Sequence, residues 1–188
     1  MIIIVEGVDA SGKDTLINNL SKLTNMEVVR GSSFEMSEGG ADKMFEEARK
    51  LLLERDDIIL NRSFYSNAVY GPMYNYPTMS DKQFDELNKI VEEVGCIYYL
   101  TADTEVIMSR LNARGDDDVK AEDIKDIQAG YKHMWNRFKP SSLVTIDVTH
   151  IDLLDIDSDI YDKILENNRK HNEMKEEELR SRKLREKR

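Results

Sequence analysis

A short apolar run that leads into a glycine-bounded loop most constrains what this chain can fold into. Residues 1–5 read MIIIV, and the loop that follows begins at Gly7 and ends at Gly12 and Lys13. This is the spacing of a phosphate-binding loop, G-x-x-x-x-G-K, after a buried strand. The glycines let backbone N–H groups point inward at phosphate oxygens, and the lysine adds positive charge at the start of a predicted helix. We therefore expect nucleotide binding, in preference to an ordinary strand–turn–helix with chance glycines.

The position after the lysine departs from this motif. A Ser or Thr there ordinarily ligates Mg²⁺, whereas this chain has Asp14 followed by Thr15. The Asp14 carboxylate is expected near the metal or near phosphates that it would repel, and both alternatives stay open. Asp9, inside the loop, is expected to hold a magnesium-bound water, to orient an acceptor, or only to cap the turn. The predicted cofactor-binding residues are Gly7, Ala10, Ser11, Gly12, Lys13, Asp14 and Thr15, and the predicted metal-side residues are Thr15 and Asp9.

Apolar runs and helical patterns alternate along residues 1–150. This alternation predicts a parallel sheet covered by helices on both faces, with ligands at the carboxyl ends of the strands. We predict an α/β three-layer sandwich of the phosphate-loop NTPase type over residues 1–165, with a charged helical tail over 166–188. Loops are expected at 31–40 and 71–80. The predicted strands are Ile2–Val5, Met26–Val29, Ile58–Leu60, Cys96–Leu100 and Leu143–Val148, and the predicted helices lie near 13–24, 41–55, 63–71, 80–94, 103–114 and 120–138.

The charge balance narrows the expected partners. The net charge is −10, although residues 166–188 carry nine Lys and Arg against six Glu. An acidic body argues against extended nucleic-acid binding, so phosphate must be recognised by a local cluster of donors. No apolar run has the length of a membrane span, so no membrane partner is expected. The single cysteine, Cys96, lies in an apolar run, which predicts a buried thiol in a reducing compartment and hence a cytoplasmic protein.

Polar side chains cluster after the predicted strand at 58–60, in the segment NRSFYSNAVY. Arg62 can present paired N–H donors to a second phosphate group. Ser66 and Asn67 can hydrogen-bond a nucleoside, and Tyr70 can form a wall beside a sugar. The alternative is a simple helix cap, which would explain only one residue of the set.

Two pairs of residues are spaced four apart and so share a helix face. Phe45 and Arg49 suit a base that is stacked and hydrogen-bonded at its edge, although such a pair is more often a core Phe beside a surface Arg. Arg110 and Arg114 precede the sequence GDDD, which predicts a lid at about 110–120 that closes cations over the phosphates. The alternative for this second pair is a solvated helix end.

These residues together resemble the thymidylate kinase family of nucleoside monophosphate kinases over roughly residues 1–150. EGVDASGKDT is similar to that family's E-G-x-D-x-x-G-K-x-T, and NRSFYSNAVYG is similar to D-R-Y-x-x-S-x-x-A-Y. Phe45 and Arg49 match its F-x-x-x-R. The resemblance implies that Phe45 stacks on the base and that Arg62 holds an acceptor monophosphate, with Asp9, Arg49, Ser66, Asn67, Tyr70 and Tyr131 as further substrate-binding residues.

The same resemblance implies that Arg110 and Arg114 are lid arginines and that the protein is a homodimer. The chain also departs from the family pattern, since Asn61 replaces the acidic residue before the arginine. The Arg-Ser-x-x-Ser spacing is similar to that of the deoxynucleoside kinases, in which a Glu after the second strand acts as a base. Glu35 is the candidate for that base here.

The expected function is ATP-dependent phosphorylation of a deoxynucleoside monophosphate, dTMP to dTDP, with ATP and Mg²⁺ as cofactors. The predicted catalytic residues are Lys13, Arg62, Arg110, Arg114 and Asp9. One alternative is a deoxynucleoside kinase, which must deprotonate a 5′-hydroxyl. The other alternative is a non-catalytic nucleotide-binding protein, for which Asp14 and Asn61 are the best support.

Overall fold

The computed structural model describes residues 1–31, 39–115 and 120–151, with positions 161, 162, 164–166, 169, 170, 173, 174, 177, 180 and 181. The strands are β1 (Ile2–Gly7), β2 (Glu27–Arg30), β3 (Ile58–Asn61), β4 (Gly95–Thr101) and β5 (Leu143–Asp147). The helices are α1 (Lys13–Thr24), α2 (Gly40–Glu54), α3 (Phe64–Tyr74), α4 (Asp81–Val94), α5 (Thr104–Arg114) and α6 (Ala121–Phe138).

The strands form one parallel sheet in the order β2-β3-β1-β4-β5. This confirms the predicted α/β fold. The central strand β1 is buried at every position, as expected for a strand covered on both faces. Val5 of β1 pairs with Asn61 of β3, so the loop after β1 and the polar segment after β3 leave the sheet side by side. That register places the candidate site at the carboxyl edge.

The two edge strands correct one expectation. The apolar runs predicted a sheet covered by helices on both faces, but Val28 of β2 is 41% exposed and Val144 of β5 is 37% exposed. The cores of β1, β3 and β4 are almost fully buried instead. The apolar pattern of a short strand does not reveal whether the strand has neighbours on both sides, so edge and central strands look alike in sequence.

Helix α3 is the element whose bounds differ most from the prediction. It was expected to end at 71, before a loop with two prolines, but it continues through Pro72 to Tyr74. Asn75 then ends it in a left-handed conformation, with its N–H donating to the Gly71 carbonyl oxygen. The rings of Tyr70 and Tyr74 stack at 6.2 Å between centroids, and this packing of the last turn accompanies the proline, which cannot donate a helical hydrogen bond.

The C-terminal segment is helical at the positions that the structure describes between 161 and 181. Its start packs on the body, because Ile164 is 1% exposed and the Tyr161 hydroxyl accepts a hydrogen bond of 2.7 Å from the Asn19 side chain of α1. Cys96 is partly buried, and burial raises the pKa of its thiol to about 11. Within the described segments, no helix is both long and apolar enough to cross a bilayer.

Candidate active site

The loop after β1 has the geometry of an anion cradle. Gly7 adopts φ +147°, and a Cβ there would lie 2.4 Å from the Leu100 carbonyl oxygen, so glycine is required on both counts. Ala10 and Gly12 both take left-handed conformations, with φ 58° and 92°. Gly12 is the N-cap of α1 and makes no side-chain cap hydrogen bond. The first N–H groups of α1 are therefore available to an anion.

Lys13 is folded back into this loop. Its ammonium donates a 2.7 Å hydrogen bond to the Val8 carbonyl oxygen, and the residue is 6% exposed. Burial and the neighbouring Arg62 guanidinium lower the pKa of Lys13 to about 7, against the attraction of nearby carboxylates. An incoming phosphate would relieve the cost of burying this charge.

The loop residues fit a nucleotide phosphate on an independent observation. The Ser11 hydroxyl is fully buried, and it lacks a hydrogen-bond partner among the described residues. Buried polar groups are normally paired, so an unpaired hydroxyl inside the loop is consistent with a ligand oxygen as its partner. Thr15 is half-buried in the first turn of α1, one position beyond the usual metal-ligating hydroxyl.

Arg62 is held in place through both its backbone and its guanidinium. Its backbone is left-handed, with φ 63°, and its N–H donates to the Val5 carbonyl oxygen at 3.0 Å. Nη2 donates to Asp9 at 2.7 Å, and Nη1 donates to the hydroxyls of Ser66 and Tyr131, both at 3.2 Å. The guanidinium carbon lies 5.0 Å from the centroid of the Tyr70 ring. A non-glycine residue held at positive φ by such contacts is typical of a functional site.

Glu6 contacts the same two hydroxyls to which Arg62 donates. The residue is fully buried at the end of β1. Oε1 accepts a hydrogen bond from Ser63 at 2.7 Å, and Oε2 accepts from Ser66 at 2.6 Å and from Tyr131 at 3.0 Å. Burial raises the pKa of Glu6, although these hydrogen bonds and Arg62 oppose the shift. Glu6 thereby orients the two hydroxyls that contact Arg62.

Asp9 connects the loop after β1 with Arg62, which follows β3. Partial burial would by itself raise the pKa of Asp9, but the charges of Arg62 and Lys13 outweigh it and lower that pKa. The carboxylate therefore stays ionised and occupies one edge of the guanidinium. In this arrangement the candidate phosphate loop and the arginine after β3 form one connected cluster.

The predicted substrate-side residues divide into two groups. Ser66, Tyr70 and Tyr131 lie in the Arg62 cluster, and Asn67 is buried one position further along α3. Phe45 is half-buried against the core, and its contact with a base stays a prediction. Arg49, which is 44% exposed, pairs instead with Glu86 of α4 at 3.2 Å. The register of α2 on α4 decides that pairing, and the spacing of two residues on one helix does not reveal it.

The two predicted lid arginines also differ. Arg110 docks on backbone carbonyl oxygens, donating to Val148 at 3.0 Å, to Ile151 at 3.4 Å and to Ala10 of the phosphate loop at 3.5 Å. Arg114 is exposed in the last turn of α5. Residues 116–119 of the expected lid, and the candidate base Glu35, lie outside the described residues.

Sequence reasoning gave no role to Glu6 itself and did not pair Asn61 with Asp14. The Asn61 Nδ2 donates to Asp14 Oδ1 at 3.0 Å. Glu6 carried a signal that could have been used, since a charged residue directly after an apolar strand and before the loop glycine must be buried and paired. The Asn61–Asp14 contact joins positions 47 apart and had no local signal.

Three comparisons place this chain among known proteins. It is 34% identical over 134 residues to the SPbeta prophage-derived uncharacterized protein YorR of Bacillus subtilis (strain 168), covering 71% of this chain and 81% of YorR. The crystal structure of YorR in complex with phosphorylated GDP matches at 29% identity with a TM-score of 0.81, covering 90% of this chain and 98% of that chain.

More distant structures share the fold. The thymidylate kinase of Candida albicans matches with a TM-score of 0.60 at 17% identity, covering 90% of this chain and 92% of its own. The deoxyadenosine kinase of M. mycoides with bound dCTP matches with a TM-score of 0.53 at 17% identity, covering 89% and 98%. At these identities the likeness shows the fold alone, so the thymidylate kinase resemblance is supported only at the level of a phosphate-loop kinase fold. Residues 31–173 match the family model of the deoxynucleoside kinases, and this chain therefore belongs to the deoxynucleoside kinase family.

Proposed function

We propose that this protein transfers a phosphoryl group from a nucleoside triphosphate to the 5′-hydroxyl of a deoxynucleoside. The observation that carries the proposal is the Arg62 cluster, in which a guanidinium is fixed by Asp9, Ser66 and Tyr131 directly beside a phosphate loop. Membership of the deoxynucleoside kinase family supports the same reaction class.

The donor side follows from the loop. Lys13, the loop N–H groups and the Ser11 hydroxyl would bind the phosphates of ATP, and the N-terminus of α1 favours their negative charge. Mg²⁺, when bound, neutralises charge on the donor phosphates. The residues predicted to hold it are Asp9 and Thr15. Arg110 and Arg114 are proposed to add positive charge from α5, although Arg110 must leave its backbone partners to do so.

The charges around Arg62 favour a neutral acceptor. The Asp9 carboxylate already pairs with this guanidinium at 2.7 Å. A dianionic monophosphate would have to displace Asp9 from Arg62 and would then lie near the Asp9 carboxylate. A nucleoside hydroxyl carries no charge and requires neither change. Since like charges in a partly buried site repel strongly, the described geometry supports a nucleoside acceptor better than a monophosphate.

A hydroxyl acceptor needs a base. Asp9 is a weak candidate, because Arg62 and Lys13 hold its pKa below the ordinary range. Glu6 is fully buried and accepts hydrogen bonds from three hydroxyls. We therefore retain Glu35 as the proposed base, which follows from the sequence resemblance.

A deoxynucleoside monophosphate, dTMP in particular, is the second candidate acceptor. It is favoured by the chemistry of Arg62, because a planar guanidinium is the side chain best suited to a phosphate group. This reaction needs no base, since a phosphate oxygen is already nucleophilic near neutral pH.

One panel of acceptors tests the proposal. The four deoxynucleosides and their monophosphates are incubated with Mg²⁺ and either ATP or GTP, and products are identified by mass spectrometry. GTP is included because YorR was crystallised with a phosphorylated guanine nucleotide. Phosphorylation of deoxynucleosides supports the proposal, phosphorylation of dTMP alone supports the second candidate, and turnover of neither would contradict both.

Two substitutions sharpen the result. Glu35→Gln is expected to reduce kcat with a deoxynucleoside by about 100-fold or more, as for loss of a general base, while Glu93→Gln on the exposed face of α4 leaves it unchanged. Arg62→Lys keeps the charge but loses the fork, so KM for the acceptor is expected to rise by about tenfold. Equal kcat with a deoxynucleoside for Glu35→Gln and the unmodified protein would show that Glu35 is not the base, and the acceptor panel alone would then decide between the two candidates.

A further inference from the structure

The two departures of this chain from the expected metal-site pattern contact each other. Position 14, where the motif has a Ser or Thr, carries Asp14 at the N-terminus of α1. Position 61, where an acidic residue was expected, carries Asn61 at the end of β3. The Asn61 amide donates to the Asp14 carboxylate at 3.0 Å. The two changes are therefore paired, since Asn61 supplies the hydrogen-bond donor and Asp14 supplies the acceptor.

The position of this pair is the one that faces the metal in phosphate-loop enzymes. There Mg²⁺ is held by the hydroxyl after the loop lysine and by an acidic residue from a neighbouring strand. In this chain β3 is one of the two strands beside β1, with Asn61 in register with Val5, and Asn61 stands where the resemblance places the acidic residue. The pair therefore still contains one carboxylate and one uncharged side chain whose oxygen can ligate a metal. The carboxylate is on the helix and the uncharged side chain is on the strand.

We propose that Asp14, oriented by Asn61, is the carboxylate ligand of the Mg²⁺ that accompanies the donor nucleotide, with the two ligand roles exchanged between helix and strand. This rests on the donor side of the proposed function. Mg²⁺ sites in such enzymes use one or two carboxylates together with substrate phosphates, so a single carboxylate at position 14 is sufficient. The Asn61 amide engages Asp14 Oδ1, and the second carboxylate oxygen does not take part in that bond.

A carboxylate at position 14 has a consequence for nucleotide binding that a hydroxyl there would not have. A Ser or Thr at position 14 is neutral and tolerates phosphate with or without metal. The Asp14 carboxylate lies next to Lys13 in sequence and near the loop that would bind the donor phosphates, so it repels metal-free nucleotide. Binding of ATP by this protein should therefore depend strongly on the divalent cation.

The test measures nucleotide affinity, not turnover. The dissociation constant of a non-hydrolysable ATP analogue is measured by calorimetry with Mg²⁺ and with EDTA, and the ratio of the two constants is compared among variants. Asp14→Ser is expected to reduce this ratio by about tenfold or more, mainly by tightening metal-free binding. The double variant Asp14→Ser with Asn61→Asp places a carboxylate at the end of β3 in place of the one on α1. It is expected to restore the ratio.

Asp85→Asn is the matched control, because it removes one negative charge from an exposed position on α4. It should leave the ratio unchanged, and a similar fall there would show only a general charge effect and overturn the inference. An unchanged ratio in Asp14→Ser would also overturn it, as would a loss that the double variant does not recover. Failure of the proposed function is distinct, since it would appear as metal-dependent nucleotide binding without phosphorylation of any acceptor.

Discussion

Glu6 illustrates how much of the site depends on one buried carboxylate. Its pKa is raised by burial, so the folded protein keeps this proton at a pH where the unfolded chain has lost it. The stability that follows is fully present below the unfolded value of about 4.5 and is lost as pH rises through the folded pKa. The direction is opposite to that of Asp9, whose lowered pKa stabilises the fold at higher pH.

Replacing Glu6 by Gln tests this linkage. The variant keeps an acceptor oxygen for Ser63 or Ser66 but cannot titrate, so its free energy of unfolding should fall less with rising pH above about 4.5 than that of the unmodified protein. In the orientation that turns the amide donor toward Ser66 and Tyr131, the hydroxyls that contact Arg62 are displaced, so KM for the acceptor should rise. Urea unfolding across pH and steady-state kinetics measure the two effects. Parallel pH profiles for both proteins would contradict the linkage.

Lys13 provides a second prediction at the scale of one residue. With a pKa of about 7 in the ligand-free protein, its amine is largely neutral at about pH 8. Bound phosphate favours the charged form, so ATP binding at that pH should take up about one proton. Calorimetry in buffers of different ionisation enthalpy measures the uptake. Lys13→Arg is the control, because an arginine cannot release its proton, and equal uptake in both proteins would exclude Lys13 as its source.

At the scale of elements, the close packing of α3 on α6 constrains the position of Tyr131 in the Arg62 cluster. Gly130 lies in the middle of α6, and a Cβ there would lie 2.9 Å from Val69 Cγ1 of α3. The adjacent residue, Tyr131, reaches the Arg62 cluster from this contact. The close approach of the two helices therefore helps to place the Tyr131 hydroxyl.

Gly130→Ala is expected to destabilise the protein by about 1–3 kcal/mol through this overpacking, although Ala in a free helix would stabilise it by about 1 kcal/mol. Adding Val69→Ala removes the opposing methyl groups and should recover part of the loss, giving a favourable coupling in a double-mutant cycle. Urea unfolding of the four proteins provides the measurement. If the Gly130→Ala protein were more stable than the unmodified protein, α3 and α6 would be able to move apart, and their close approach would not be a constraint.

At the scale of the whole molecule, the C-terminal segment belongs in part to the body. Tyr161 and Ile164 are 7% and 1% exposed, and Tyr161 contacts α1, the helix that follows the phosphate loop. The domain boundary predicted at 165, the roles of the tail and the lid, the homodimer and the cytoplasmic location stay predictions.

Ile164→Ala should lower the free energy of unfolding by about 2–5 kcal/mol, the usual cost of a cavity at a buried site. Leu165→Ala, one position along and only half-buried, should cost distinctly less. Equal small losses in the two variants would mean that this segment does not pack on the body in solution.

Much of the fold could be predicted because its signals are local. Strand runs such as 2–5 and helix patterns such as 13–24 lie within a few residues, and α1 has the predicted bounds. The exposure of β2 and the continuation of α3 through Pro72 could not be predicted in this way. The first depends on neighbours in the sheet, and the second depends on how the last turn of the helix packs.

The phosphate loop is a property of the sequence itself, because Gly7, Gly12 and Lys13 act through the backbone of one contiguous segment. The acceptor side is a property of the tertiary structure. Glu6 reaches Ser66 across 60 positions and Tyr131 across 125, and no local pattern determines which side chains a fully buried carboxylate meets. That choice follows from sheet register and helix packing, which bring together groups that must satisfy one another out of contact with water.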